Sequence, residues 1–186
     1  MSDRKYNGDI QRLRSPDRIQ RGEPDRVVLL CLDGIEATSM LDIGTGSALF
    51  AEAFYKAGLS VTGVDVNPEM IEAAKQFIPD GNFHLAPAES LSFEDGAFDL
   101  VFMAFLLHEV DDYVKTLTEA GRVAKQRIAV LEFPKIEQPF GPPLEHRLSE
   151  QQVTDFAEQA GLGKPEIHTL THLVLYLWNT NTDTAK

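Results

Sequence analysis

The 186-residue sequence predicts a three-layer α/β domain on a seven-stranded, mostly parallel sheet that ends in an antiparallel C-terminal hairpin. Three observations predict it. Short β-branched runs alternate with amphipathic helical stretches. One run, "FDLVFMAF", is apolar on both faces, as a central parallel strand must be. The last two runs, "PEIHTL" and "LVLYLW", are separated only by Thr171 and His172, too short a link for a parallel crossover.

The opening 26 residues hold few apolar side chains, two prolines and many arginines, and read as a partly ordered arm anchored by Tyr6, Ile10 and Leu13. Pro24 suits the first turn of a short helix, "PDRVVLLCL", that stops near Gly34. "SMLDIG" and "LSVTGVD" are the first two strands, and the stretch between them puts Phe50, Ala53, Phe54 and Ala57 on one helical face before Gly58. Asn67 caps "PEMIEAAKQFI", with Pro68 as first helical residue. "NFHLA" is strand three, "FDLVFMAF" strand four and "RIAVLEF" strand five, with "DDYVKTLTEAGRVA" a helix between the last two. "SEQQVTDFAEQAG" begins on a Ser149/Gln152 capping box and ends on Gly161. The chain therefore divides into an arm or lid over 1–23, a domain over 24–180 and a tail over 181–186.

The single cysteine, Cys31, excludes an internal disulfide or a multi-thiolate metal site and points to a reducing compartment, with the cytoplasm as the simplest location. No apolar run reaches the roughly 18 residues of a membrane helix, so no membrane span is expected. The net charge is −12, and seven basic residues against five acidic in the first 26 leave the body near −14. Such a surface repels a polyphosphate backbone, which argues against nucleic acid as partner.

"MLDIGTGSALFAEAF" breaks a strand at two glycines and resumes as a helix, which brings bare backbone close to a ligand or makes a tight turn without one. The dinucleotide pattern G-x-G-x-x-G places Leu49 where a glycine or alanine belongs, and a phosphate loop needs a lysine that does not come until Lys56. A nicotinamide enzyme is thus a distant reading.

Four motifs, in order, fit a different family: "LDIGTGSA", "VTGVDVNPEM", "APAESLSFEDGAFDLV" and "FLLHEVDD". From about Leu41 to Trp178 the sequence resembles class I S-adenosylmethionine-dependent methyltransferases of the group related to ubiquinone and menaquinone biosynthesis. The resemblance implies a Rossmann-like seven-stranded sheet with S-adenosyl-L-methionine as cofactor. It implies that Asp42 favours the cofactor's ammonium group, that Gly44, Thr45 and Gly46 admit the methionine chain, and that Asp65 takes the ribose hydroxyls. Val66 and Met70 would lie against adenine, Ala88 and Glu89 at its edge, and Ala104 at the end of strand four. Three positions depart from the family: Ala48 stands for the third glycine, where only helix packing is close; Pro87 stands where Asp is frequent; and "RVAKQRIAV" lacks a Pro-Gly-Gly turn, tightening that loop.

On the acceptor side, His108 beside Glu109 is placed either to remove a proton or as a hydrogen-bonded structural histidine. His146 and Arg147 follow a rigid proline turn, and are either acceptor contacts, with Arg147 binding a carboxylate, or a surface loop. His84, His168 and His172 read as structural. "FMAF" offers no carboxylate for magnesium and lacks the Asn/Asp-Pro-Pro-aromatic signature of amino and amide methylation. What remains is a small, fairly apolar organic acceptor bounded by Phe102, Phe105, Phe133 and Phe140. The alternative is a methyltransferase-like module that binds the cofactor and regulates a partner without turnover.

Overall fold

Strand "FDLVFMA" buries six of its seven residues, which only a strand flanked on both sides and covered on both faces can do. The computed structural model, which describes residues 10–180, places it as β4 (Phe98–Ala104) between β1 (Ser39–Ile43) and β5 (Ala124–Glu132). With β2 (Ser60–Asp65), β3 (Asn82–Leu85), β6 (Glu166–Thr169) and β7 (Val174–Asn179), the seven-stranded sheet has the order β3-β2-β1-β4-β5-β7-β6. β1 to β5 run parallel, and β7 lies antiparallel to both β5 and β6. The order reverses between β1 and β4, and in open α/β sheets that crevice, beyond the strand C-termini, is where ligands bind.

The strand period of two sorts the core into two layers. Leu100 and Phe102 join Met40, Phe50, Phe54 and Val28 on the side of α3 (Pro24–Leu32), α4 (Leu49–Lys56) and α5 (Pro68–Phe77). Val101 and Met103 join Leu41, Ile43, Leu117 and Val153 on the side of α6 (Tyr113–Val123) and α7 (Glu150–Gln159). The expected Asn67 cap and the Ser149/Gln152 capping box both form. α6 passes directly into β5 at Ala124, so the loop that lacks Pro-Gly-Gly has shrunk to nothing. On α4 the buried face is Phe50, Ala51 and Phe54. Ala57 is exposed at the helix's C-terminal cap, a correction that follows from the helix ending one residue before it.

In the N-terminal arm, Leu13 anchors as expected. The arm's described part forms two helices, α1 (Ile10–Leu13) and α2 (Pro16–Gly22), with Leu13 buried and Gly22 close against Phe50. Arginines dock it. Arg14 donates to Ser47 O at 2.8 Å, pairs with Glu52 and stacks on Phe77, while Arg21 covers Phe140 at 4.6 Å. Tyr6, the side chain of Ile10 and the tail 181–186 lie outside the described residues. Among the described residues no helix is long and apolar enough to cross a membrane.

Two buried charges, both on strands, hold the far end of the sheet. Arg127 donates to the carbonyls of Cys31 and Asp33, closing the C-terminus of α3. Asp99 Oδ2 accepts from the backbone and hydroxyl groups of both Thr38 and Ser39, and Oδ1 from Gln126 Nε2 at 3.0 Å. Burial works against its charge, but these donors outweigh burial and hold the carboxyl well below the usual carboxylate range. Replacing Asp99 with Ala should therefore cost about 2 kcal/mol or more at pH 7. Because the folded pKa is depressed, that contribution is present above the unfolded value of about 3.9 and fades as pH falls below it. Urea titrations at pH 7 and at low pH should show the gap between wild type and Asp99→Ala narrowing in acid.

Candidate functional site

β1 ends at Ile43, and the chain then takes left-handed backbone at Gly44 (φ 71°), Gly46 (φ 51°) and Ala48 (φ 58°) before α4 begins. Gly44 and Thr45 N–H both donate to Val64 O, at 2.8 and 2.9 Å, and Gly46 N–H donates to Asp65 Oδ2 at 2.9 Å. The loop is thereby fastened to the end of β2. Ala48 occupies a left-handed position and is fully buried, so the third glycine's place demands backbone freedom as well as helix packing.

Asp42 lies beneath this loop, 3% exposed, with Thr45 Oγ1 donating to its Oδ2 at 2.8 Å. Burial pushes its carboxyl up to about 7, with the Thr45 bond opposing and the charge of Asp65 adding to the rise. Asp65 is also raised by burial, although the N–H groups of Asn67, Gly46 and Val66 counteract it.

Asp42, Gly44, Thr45, Gly46, Asp65, Val66, Met70, Ala88, Glu89 and Ala104 all line one cavity at the β1/β4 crevice. Phe50, Phe105, Leu106 and Val110 form its apolar wall, and Leu13 and Arg18 reach it from the N-terminal helices. At about 180 Å³ it is smaller than the roughly 300–1,000 Å³ of drug-sized sites.

The acceptor-side residues divide. Phe105 lines the cavity, in a left-handed conformation (φ 58°) that turns the chain off the end of β4. Phe133 stacks on it with ring centroids 4.8 Å apart, and Phe140 lies 6.5 Å beyond Phe133. Phe102 belongs instead to the core, against Phe50 and Phe54, because strand alternation turns it under the sheet. Arg147 is a second correction. It is 3% exposed, and its guanidinium donates to the carbonyls of Pro134, Ile136, Phe140 and Pro142 and to Gln138 Oε1. It organises the proline loop rather than facing a carboxylate. His146 is half-buried on a 3₁₀ turn (Leu144–His146) in the same loop. His168 pairs with Glu166, and His172 packs edge-on against Phe140.

His108 does not reach the cavity wall. It is 4% exposed, its Nδ1–H donates to Glu132 Oε2 at 2.8 Å, and its backbone N–H donates to Glu132 Oε1 at 3.2 Å. Its Nε2 lies 3.8 Å from Glu109 Oε1, and it is Glu109 that lines the cavity. Glu109 was signalled only by adjacency to His108, and Arg18 by nothing beyond its place in an arginine-rich arm.

A family described as methyltransferase domain matches residues 41–129. The chain is 36% identical over 108 residues to the ubiquinone/menaquinone biosynthesis C-methyltransferase of Geobacter sp. (strain M21), covering 52% of this chain and 46% of that one. It is 33% identical over 111 residues to the demethylmenaquinone methyltransferase of Thermotoga maritima, covering 58% and 48%. It thus spans about half the length of the curated relatives it matches. An S-adenosylmethionine-dependent methyltransferase from Aquifex aeolicus superposes with a TM-score of 0.80 at 26% identity, over 92% of this chain and 96% of that structure.

In sheet order, glycine loop and these matches the chain is similar to class I S-adenosylmethionine-dependent methyltransferases. Among these, its similarity to the ubiquinone/menaquinone biosynthesis C-methyltransferases extends over about half of its length. The residues present fit the cofactor: a buried carboxylate at the cavity wall whose pKa is raised to about 7 is the partner an ammonium group requires.

In His108, burial opposes the charged form, but the charge and hydrogen bond of Glu132, then Glu109, outweigh it and the pKa is raised. Its charge therefore adds stability in full below the unfolded value of about 6.5, and the gain is lost as pH rises through the folded pKa. Replacing His108 with Ala leaves Glu132 buried without its partner and should cost about 3–5 kcal/mol. Denaturant melts should show that gap widest near pH 6 and smaller at alkaline pH.

Proposed function

We propose that this protein transfers the methyl group of S-adenosylmethionine to a small organic acceptor with an apolar, electron-rich ring, by C-methylation. The observation that carries the reading is the meeting of Asp42, Asp65 and the glycine loop with Phe50, Phe105, Leu106 and Val110 in one cavity. The names of the relatives, ubiquinone/menaquinone and demethylmenaquinone methyltransferases, support a quinol-type ring as the acceptor class.

When bound, the cofactor supplies a methyl carbon on a sulfonium, whose sulfur keeps the electron pair of the breaking C–S bond. Asp42 holds the ammonium. Each oxygen of Asp65 already accepts one backbone N–H and has a further lone pair for a ribose hydroxyl. Val66 and Met70 bracket adenine, with Ala88 at its edge. Glu89 lines the cavity and Pro87 does not, so Glu89 takes the adenine amino group. Thr45 keeps Asp42 oriented and Ala104 leaves room at the end of β4.

The chemistry left to the chain is alignment and exclusion of water. Phe105, braced by Phe133 and Phe140, holds an acceptor ring flat. As the ring carbon gains the methyl it must lose a proton, and Glu109 is the group at that wall able to receive it. His108, anchored on Glu132, is a positioning residue behind it. Residues 1–23 act as a lid on the domain 24–180.

Calorimetry should show binding of S-adenosylmethionine and its demethylated product but not NAD; the converse would reverse the assignment. Asp65→Ala should weaken cofactor binding by roughly 1–3 kcal/mol. The ammonium favours ionised Asp42 and lowers its pKa in the complex, so affinity should fall as pH drops below about 7. A flat affinity between pH 5 and 8 would remove Asp42 from contact with the ammonium. Methyl transfer from labelled cofactor to a panel of small hydroquinones tests the acceptor class.

A further inference from the structure

We infer that His108 is a two-state positioning residue: as an imidazolium it turns an N–H on Glu109 and holds that carboxylate at the cavity wall, and as a neutral ring it repels it. Turnover is thereby governed by the proton of a buried side chain that does not itself line the cavity. This rests on the reading above, in which Glu109 receives the ring proton, and adds to it the group that decides when Glu109 can do so.

Glu132, the last residue of β5, fixes the ring. Its Oε2 accepts from His108 Nδ1–H at 2.8 Å and from Phe133 N–H at 3.3 Å, and its Oε1 accepts from the His108 backbone N–H at 3.2 Å. Phe133 lies edge-on to the imidazole, with ring centroids 6.4 Å apart. Both members of the pair are buried, so the Nδ1 proton is committed to Glu132 in either charge state and the two states differ at Nε2 alone. Nε2 lies 3.8 Å from Glu109 Oε1. Protonated, it faces that carboxylate with a donor and a positive charge; unprotonated, it turns a lone pair on the same oxygen. One proton reverses the sign of the contact.

The charges around the ring set which state prevails. Burial opposes the imidazolium, but the charge and hydrogen bond of Glu132 and then the charge of Glu109 outweigh it, while the Arg147 guanidinium of the proline loop works against it. On β7, Tyr176 stays a neutral phenol, raised by burial and by the charges of Glu150 and Glu132. The charged ring is therefore favoured near neutral pH and is lost as pH rises through its raised pKa. That sign suits the chemistry. The C–CH3 bond forms as the C–S bond breaks, and the ring carbon, now strongly acidic, keeps its C–H electron pair as the proton passes to a Glu109 oxygen. The receiving carboxylate needs to be ionised and aimed rather than strongly basic. Asp42, Asp65 and Glu89 line the same cavity and repel a further anion, and a cation behind Glu109 offsets them. Glu109, with 21% of its side chain exposed, then returns the proton to water.

The test has one arm that needs no acceptor. In an NMR titration of the full chain with isotope-labelled glutamate and histidine, the Glu109 carboxyl resonance, identified by its loss in Glu109→Gln, should shift at the pH where the His108 ring titrates, above about 6.5. Glu132→Gln keeps the shape at the end of β5 without the charge, and both shifts should move together to lower pH by about one pH unit or more. A Glu109 resonance indifferent to the His108 titration overturns the inference, and the wild type alone decides this if Glu132→Gln fails to fold. The second arm is turnover of a small hydroquinone at saturating S-adenosylmethionine, with thermal melts confirming that each variant is folded. The wild-type kcat should fall as pH rises through the same titration, and in Glu132→Gln the fall should begin at lower pH. His108→Gln carries an amide N–H that does not titrate, so it should lose the fall while turning over roughly 10-fold more slowly than wild type at neutral pH. A pH profile unmoved by Glu132→Gln and retained in His108→Gln overturns the inference while the C-methylation reading stands. If no hydroquinone is methylated, the acceptor reading fails and the NMR titration still decides the inference.

Discussion

The hydrogen bonds that fasten the loop after β1 to the end of β2 are the constraint on which the site depends. Two N–H groups on Val64 O and one on Asp65 fold the loop sideways over β2, clearing the space above β1 and β4. That path needs left-handed backbone at 44, 46 and 48, and at Ala48 a side chain tolerates it at a cost of about 1–2 kcal/mol, offset in part by a fully buried methyl. The same loop shuts Asp42 away from water and raises its carboxyl. An anion held at that disadvantage in the free protein is a site prepared for a cation, and the strain of the loop and the burial of the carboxylate have one origin.

The features legible in the sequence were those with local causes. Asn67 and the Ser149/Gln152 pair cap their helices through bonds spanning two or three residues, and the two-residue link at Thr171–His172 leaves no topology but a hairpin. The residues now lining the cavity at the ends of β1 and β2 were legible because each motif sits at a strand's C-terminal end, where a parallel sheet gathers them. The acceptor wall was harder. Phe102 and Phe105 look like one aromatic cluster in "FMAF", yet a strand period of two sends Phe102 under the sheet, and Phe105 leaves the strand altogether. Arg147 and His108 are charged residues in suggestive places whose partners, the proline-loop carbonyls and Glu132, come from elsewhere in the chain. No spacing rule shows that a polar group is already satisfied.

The N-terminal segment illustrates a different limit. Apolar content is the signal for packing, and this segment has little. Its docking instead uses guanidinium groups laid on Phe77, Phe105 and Phe140 and one pair to Glu52. Such contacts combine dispersion with attraction to the ring face, and they remain partly wet. They hold a helix in place with less cooperative force than a buried leucine row.

The charge of the cavity bears on which form of the cofactor it prefers. Asp42, Asp65, Glu89 and Glu109 surround it, with Arg18 as the opposing cation among its described lining residues. A sulfonium carries one positive charge that the thioether product lacks, and in a partly desolvated cavity that difference weighs more than it does in water. On the function proposed above, transfer of the methyl group removes the charge that this wall of carboxylates favours. On that same reading, discrimination between substrate and product forms falls on the acidic side chains that line the cavity, and the loop that buries Asp42 places one of them there.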